Sequence, residues 1–161
     1  MSIKEYEEFH RRSLDDPEGF WMEQAKGIEW RKEPEKALNF DNPPFAYWFV
    51  GGETNLCHNA VDRHLTERGG QDALIYISTE TGERGRYTYG EVHEEVNALA
   101  SALRSLGVGR GDRVIIYMPM VPEAIFAMLA CVRLGAVHSV VFGGFSAPNL
   151  AKRVDDARPK V

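Results

Sequence analysis

The fold is decided by residues 112–158, which read DRVIIYMPMVPEAIFAMLACVRLGAVHSVVFGGFSAPNLAKRVDDAR. The apolar run at residues 114–117 predicts a buried strand, and Pro122 opens a helical pattern of apolar residues that Gly135 closes. A second apolar run, at residues 136–141, predicts another buried strand. Two buried strands joined through a helix indicate a right-handed βαβ motif, in which the strands are parallel.

The second strand ends in a glycine turn, Phe-Gly-Gly-Phe at residues 142–145, and Ser146 with Pro148 starts a further helix. Residues 159–161 resemble the first residues of another strand, so we expect the sequence to stop inside a sheet that continues. The pattern predicts the α/β class, as a partial layered sheet with helices on both faces.

The chain is predicted to divide near residue 69, because regular patterns dominate only after this point. Residues 1–69 are expected to form a helical and irregular arm. Residues 70–161 are expected to begin a larger domain and to be truncated before its end.

The arm combines helix signals with helix breakers. Ser2, followed by Glu5, and Asp16, followed by a proline, each predict the start of a short helix. Prolines between residues 34 and 44 predict irregular structure. The aromatic residues between 40 and 49 need a surface to cover, which favours packing on their own domain over a ligand or subunit site.

Residues 55–107 carry clearer signals. Asn55 is expected to cap one helix over residues 56–68. Residues 73–78 and 85–89 predict a hairpin. Thr88, with an acidic residue three positions later, opens an amphipathic helix that Gly107 ends.

Composition excludes several classes of function. The net charge is −5, and basic residues alternate with acidic ones, so no nucleic-acid partner is predicted. No apolar run reaches the roughly 18 residues that span a membrane, and no cleavable apolar segment opens the chain. Cys57 and Cys131 lie far apart in apolar helical patterns, which favours reduced core thiols over catalytic ones. We therefore expect a cytoplasmic protein without a membrane partner.

Side chains with catalytic potential are few. The five histidines lie on separate predicted elements, without the spacing of a zinc site. His58 and Asp62 are one helical turn apart, which favours a partly exposed pair over a catalytic dyad. Asp155 and Asp156 are adjacent on a predicted helix and diverge by about 100 degrees, so they do not converge on one cation. The sequence predicts no catalytic residue and no metal site.

Phe142, Gly143, Gly144 and Phe145 form the candidate binding loop, called the glycine loop below. Glycines after a buried strand leave backbone N–H groups approachable and permit positive φ, and the next helix offers its amino end to an anion. Without a lysine and the Gly-x-Gly-x-x-Gly spacing, such glycines more often form a tight turn than a phosphate cradle. From the residues alone both interpretations stay open.

Two segments closely resemble the AMP-forming short-chain acyl-CoA synthetases. One combines YMPMVPEA at residues 117–124 with ACVRLGAVHSVVFGGFS at residues 130–146, and the other is NLCHNAVDRHL at residues 55–65. The residues around Cys57 and His58 resemble the propionyl-CoA synthetase branch, with acetyl-CoA synthetases next closest. The resemblance covers nearly the whole chain but only the amino-terminal portion of these longer enzymes.

The resemblance implies a carboxylate–CoA ligase. Such enzymes use ATP and Mg²⁺ to turn propionate or acetate into an acyl-adenylate and pyrophosphate, and coenzyme A then displaces AMP. The segment matching the glycine loop lies beside the CoA tunnel in this family, which makes Phe142, Gly143, Gly144 and Phe145 expected CoA contacts.

Other parts of the family's machinery are not found in this sequence. They are the lysine-bearing triphosphate loop, the adenine and ribose contacts, the acyl pocket and the adenylation lysine. The chain alone is therefore expected to be inactive, to bind no cofactor, and to pair with the missing remainder of the enzyme or to self-associate. The alternative is a non-catalytic scaffold or interaction module derived from such an enzyme.

Overall fold

A computed structural model describes residues 2–161, which form two compact units. One unit extends to Thr54, and the other runs from Asn55 to Val161. The helical segment after Asn55 packs in the second unit. The predicted division of the sequence near residue 69 stays a prediction about domains.

The first unit consists of two helices and a β-hairpin: α1 (Ile3–Asp15), α2 (Pro17–Ala25), β1 (Lys36–Asn42) and β2 (Phe45–Val50). Ser2 begins α1 in a capping box, in which its hydroxyl accepts from the Glu5 N–H and the Glu5 carboxylate accepts from the Ser2 N–H. Asp16 caps α2 by accepting from the Gly19 N–H. Both predicted helix starts are confirmed.

The prediction of irregular structure between residues 34 and 44 is wrong for residues 36–42, which form β1. β1 and β2 pair antiparallel, with Leu38 opposite Trp48 and Asn39 opposite Tyr47. The prolines at positions 43 and 44 lie in the turn between the strands, where they remove no ladder hydrogen bond. Aromatic residues favour strands, and β2 is rich in them.

The second unit contains an antiparallel pair of strands, a parallel pair of strands and the helices that pack with them. In chain order the elements are α3 (Leu56–Ala60), a 3₁₀ turn (Asp62–His64), α4 (Leu65–Arg68), β3 (Asp72–Ile77), β4 (Arg84–Thr88), α5 (Tyr89–Ser105), β5 (Arg113–Met118), α6 (Pro122–Leu134), β6 (Val137–Phe142) and α7 (Ala147–Ala157). β3 and β4 form the predicted antiparallel hairpin, and the Thr88–Glu91 capping box begins α5 as predicted. The mixed α/β class is confirmed.

The single helix predicted over residues 56–68 is interrupted. Val61 adopts φ −126° and ψ −63°, outside the helical region, and separates α3 from the 3₁₀ turn. The Val61 side chain is buried in the core. The break places Asp62 where it contacts α5 and α6, so tertiary contacts outweigh the local helical pattern.

β5 and β6 pair in parallel, in register from Arg113 opposite Val137 to Met118 opposite Phe142. Helix α6 connects them and ends at Gly135, whose φ of 71° is the left-handed conformation that glycine adopts easily. The βαβ motif predicted from the sequence is therefore confirmed.

Residues 159–161 run along the free edge of β5. The Lys160 N–H donates to the Arg113 carbonyl at 2.7 Å, and the Ile115 N–H donates to the Val161 carbonyl at 2.9 Å. The Val137 N–H bonds the Asp112 carbonyl on the other edge. β5 thus lies between β6 and this segment. Because crossovers between parallel strands are right-handed as a rule, we expect α6 and α7 on opposite faces of the sheet.

The core of the second unit lies between α5, α6 and the inner face of β5. Its fully buried members include Val96, Cys57 and Cys131, and Val114 and Ile116 supply the strand side. The burial of both cysteines fits the structural role predicted for them. The packed helices hold β5 and β6 rigidly, so the loops at the ends of these strands have a fixed base.

Candidate functional site

The glycine loop lies at the carboxyl end of β6, beside the segment that follows β5. The Gly143 N–H donates to the Met118 carbonyl at 3.0 Å, and the Phe145 N–H donates to the Phe142 carbonyl at 3.0 Å. The first bond fastens the loop to the end of β5, and the second closes a tight turn. In open α/β sheets ligands bind outside the carboxyl ends of strands where the strand order reverses, as it does on the two sides of β5.

The glycines serve close approach and not an unusual backbone conformation. Glycine permits positive φ, but neither Gly143 nor Gly144 adopts it. A Cβ on Gly143 would lie 3.0 Å from the Pro119 nitrogen and 3.1 Å from the Met118 carbonyl carbon. A Cβ on Gly144 would lie 2.6 Å from Cε1 of the Phe142 ring. The protein itself therefore occupies the space that the missing side chains leave.

One backbone donor of the loop is not used within the protein. Among residues 2–161, no acceptor meets the Gly144 N–H, whereas the N–H groups of Gly143 and Phe145 are both bonded. The rings of Phe142 and Phe145 are 53% and 41% exposed and meet edge to face with centroids 6.4 Å apart. The loop thus has two partly exposed aromatic rings and one N–H group without an acceptor among residues 2–161.

Two side chains outside the loop contact Phe145. The Tyr117 hydroxyl, from β5, donates to the Phe145 carbonyl at 2.8 Å. The Arg153 guanidinium, from α7, lies 5.5 Å from the centre of the Phe145 ring, within range of a cation–π contact. Sequence reasoning did not identify either contact.

The predicted His58–Asp62 pair is weak in the structure. Nδ1 of His58 lies 3.9 Å from Oδ2 of Asp62. Asp62 meets His93 more closely, with 2.9 Å between Oδ1 and Nδ1, and it also accepts from the Arg133 guanidinium. The partly exposed helical pair predicted from the spacing is thus one edge of a larger network.

Arg133 is the centre of that network, and no pattern in the sequence pointed to it. Its guanidinium donates to Asn97 and Asp62, and its Nη2 lies 3.3 Å from the Cys57 sulfur. Asn97 in turn lies 2.7 Å from Nε2 of His93. The network therefore joins α3, the 3₁₀ turn, α5 and α6 through polar contacts.

Two members of this network, Cys57 and Arg133, have shifted pKa values. Burial raises the pKa of the Cys57 thiol, although hydrogen bonds from Arg133 act in the opposite direction. Burial alone would lower the pKa of Arg133, but the contacts with Cys57 and Asp62 outweigh it and raise that pKa. Burial also raises the pKa of Cys131. Neither thiol has the lowered pKa that marks a reactive cysteine.

Metal-ligand side chains form no candidate metal site in the described part of the chain. Across residues 2–161, no three His, Cys, Asp or Glu side chains gather as metal ligands. Asp155 and Asp156 lie on the exposed surface of α7. None of the helices in the described part of the chain is both long and apolar enough to cross a bilayer.

A parallel βαβ motif with a glycine loop at the carboxyl end of its second strand defines an α/β protein of the open-sheet class. Comparison with known proteins specifies the family. A sequence model described as AMP-binding enzyme matches residues 61–161, and one described as acetyl-coenzyme A synthetase N-terminus matches residues 6–60. Because the first match covers more than half of the chain, the chain belongs to the AMP-binding enzyme family.

Individual relatives agree with this assignment. The chain is 54% identical over 154 residues to a propionate–CoA ligase of Escherichia coli, covering 96% of this chain and 24% of that enzyme. It is 48% identical over 159 residues to an acetyl-coenzyme A synthetase of Bradyrhizobium diazoefficiens, covering 97% of this chain and 24% of the relative. The structure of an acetoacetyl-CoA synthetase from Streptomyces lividans matches with a TM-score of 0.84 and 32% identity, over 93% of this chain and 23% of that one. The chain spans about a quarter of the length of these relatives.

Proposed function

We propose that this chain is the amino-terminal part of an acid–thiol ligase that forms acyl-CoA from a short carboxylate, ATP and CoA, with AMP and pyrophosphate as products. The observation that carries the proposal is the 54% identity to the E. coli propionate–CoA ligase over nearly the whole chain. The acetyl-coenzyme A synthetases of Bradyrhizobium diazoefficiens and Streptomyces coelicolor are 48% and 49% identical to this chain. This difference favours propionate over acetate, and we propose a cytoplasmic enzyme of propionate activation.

We assign the glycine loop to CoA. Its open features are two exposed aromatic rings and the Gly144 N–H, which suit a ligand that combines apolar stretches with polar acceptors. No lysine lies in the loop to meet a triphosphate, which argues against the ATP site. The loop would bind and orient CoA, and the remainder of a longer protein would carry adenylation.

Within residues 2–161 no three His, Cys, Asp or Glu side chains gather as metal ligands, and we propose that Mg²⁺ binds together with ATP on the remainder of a longer protein. The second unit supplies a rigid sheet edge that positions the loop. Catalysis by positioning depends on such a rigid support. The chain alone is proposed to be inactive and to self-associate through surfaces that its missing partner segments would cover.

A chimera tests the proposal. This chain replaces the matching segment of the E. coli propionate–CoA ligase, and two half-reactions are measured: propionate-dependent exchange of pyrophosphate into ATP, and transfer of the acyl group to CoA. We expect the chimera to carry out both half-reactions. Phe142→Ala should raise the KM for CoA about tenfold, through loss of an aromatic contact, and leave pyrophosphate exchange unchanged.

The matched control is Phe40→Ala, which removes a ring of similar exposure, 50%, from β1 in the first unit. It should change neither half-reaction. Equal loss of both half-reactions in Phe142→Ala would contradict the CoA assignment. A chimera that is folded but inactive in both would favour the alternative, a scaffold derived from such an enzyme.

A further inference from the structure

We propose that Tyr117 is a positioning residue of the CoA site: its hydroxyl holds the Phe145 carbonyl and so fixes the glycine loop in the conformation that meets CoA. The inference rests on the assignment of the loop to CoA made above. It adds a residue outside the loop, on a different strand, whose effect on CoA is indirect.

The sheet register brings Tyr117 to the loop. Tyr117 lies opposite Val141 in the parallel ladder, and Val141 is fully buried one residue before the loop begins. The Tyr117 ring stands on the face of the sheet opposite to the buried Ile116. From this position its hydroxyl reaches past the turn to the Phe145 carbonyl, at 2.8 Å.

The loop needs a restraint at this end. Its first half is fastened by the bond from the Gly143 N–H to the Met118 carbonyl, at 3.0 Å. Two consecutive glycines have more conformational freedom than other residues and lose more of it when a ligand orders them. The Tyr117 bond fastens the second half, so both ends of the glycine pair are tied to β5 before CoA arrives.

Arg153 contacts the side chain of the same residue. Tyr117 contacts the backbone of Phe145, while the Arg153 guanidinium lies over its ring, 5.5 Å from the ring centre. β5 and α7 therefore both restrain Phe145. Since Arg153 is exposed and cationic, its replacement could also change a direct contact with an anionic ligand, which makes Tyr117 the cleaner probe.

Tyr117→Phe removes the hydroxyl and keeps the ring, so it deletes one hydrogen bond and little else. A typical hydrogen bond contributes about 1 kcal/mol, so we expect the KM for CoA to rise about fivefold in the chimera, with kcat at saturating CoA and pyrophosphate exchange unchanged. A second readout needs no ligand: amide hydrogen exchange at Gly143 and Phe145 in the 161-residue chain should become faster. Tyr76→Phe is the matched control, because Tyr76 lies on β3, which pairs with β4 and not with β5 or β6.

The outcomes are distinct. If Phe142→Ala raises the KM for CoA and Tyr117→Phe does not, the CoA site stands and the positioning role is overturned. If neither variant affects CoA, the CoA assignment itself fails. Parallel loss of pyrophosphate exchange in Tyr117→Phe would indicate general damage and overturn the inference. If the chimera is inactive, amide hydrogen exchange tests the positioning role on its own. Unchanged exchange rates at Gly143 and Phe145 in Tyr117→Phe would then overturn the role of Tyr117.

Discussion

The guanidinium of Arg133 lies against the sulfur of Cys57, with 3.3 Å between Nη2 and Sγ. These residues are 76 positions apart in the chain and belong to α6 and α3. The same guanidinium bonds Asp62, so one side chain fastens both α3 and the 3₁₀ turn that follows it. Helices this short are unstable alone, and their place in the fold depends on such contacts.

Arg133→Met should therefore destabilise the second unit by about 2 kcal/mol, because it leaves Asp62 and Asn97 short of a partner in a partly buried site. All three tryptophans lie in the first unit, so their fluorescence does not report this change. Urea unfolding should instead be followed through amide resonances of the second unit.

The control for Arg133→Met is Arg104→Met, which removes an exposed guanidinium near the end of α5. This variant should stay within about 0.5 kcal/mol of the parent chain. Equal unfolding midpoints for the two variants would show that the Arg133 network contributes nothing to stability.

The capping box of α5 predicts a dependence of stability on pH. Hydrogen bonds from the backbone N–H of Thr88, and then from its hydroxyl, lower the pKa of Glu91 below its ordinary value of 4.5. The ionised carboxylate thus stabilises the folded state above pH 4.5, and this contribution is lost as the pH falls through the lowered pKa. Glu91→Gln should reduce the pH dependence of the urea midpoint between about pH 5 and pH 2.5. Glu94→Gln, on the exposed side of the same helix, should retain this pH dependence. An equal change of the urea midpoint with pH in both variants would contradict the prediction.

The isolated chain should form no acyl-adenylate. The expectation follows from the missing lysine-bearing loop and adenylation lysine, without which the charge on the reacting phosphates has no stabiliser. Purified chain with MgATP and propionate should release no pyrophosphate above a blank, while the E. coli ligase in the same assay does. Propionate-dependent release that persists after further purification would show that the chain carries adenylation groups of its own.

Self-association should depend on the free edge of β6. Within residues 2–161, β6 pairs with β5 alone, and Val140 on this strand is 47% exposed. An exposed apolar edge invites pairing with another chain, and a lysine there opposes it. Light scattering should show mass rising with concentration for the parent chain and less so for Val140→Lys. Ile3→Lys is the control, because it adds the same charge on α1, and it should associate as the parent chain does. A compact monomer of the parent chain at high concentration would refute the prediction.

Local signals predicted much of this fold. The capping boxes at Ser2 and Thr88 and the glycine that ends α6 act within a few residues, and each lies where the sequence placed it. The hairpin of β1 and β2 was missed because its prolines were interpreted as breakers of structure, when they mark the turn. The break at Val61 was missed because its cause, the contact of Asp62 with Arg133, joins residues 71 positions apart.

The candidate site was predicted only in part, because some of its contacts also join residues that lie far apart in the sequence. The glycine loop is visible in the sequence as a motif after a strand. The Tyr117 bond to Phe145 joins residues 28 positions apart, and only the parallel register of β5 and β6 brings them together. The crowding of Gly143 was not predicted, because the Met118 and Pro119 backbone atoms that cause it lie at the end of β5, distant in the sequence.

Gly143→Ala should separate the two roles that a glycine can have in this loop. The new Cβ would lie 3.0 Å from the Pro119 nitrogen and 3.1 Å from the Met118 carbonyl carbon, and these are backbone atoms at the rigid end of β5. They cannot yield as the tip of a flexible side chain does, so we expect a loss of about 1 to 3 kcal/mol in the stability of the second unit. Gly70→Ala is the matched control, because nothing lies within 4 Å of the position that its methyl group would take and its φ is not positive; it should be neutral or slightly stabilising. If Gly143 were required instead by the ligand, Gly143→Ala would keep the stability of the parent chain and raise only the KM for CoA in the chimera. Loss of stability in Gly143→Ala with no loss in Gly70→Ala would show that this glycine is needed first for the fit of the loop against β5.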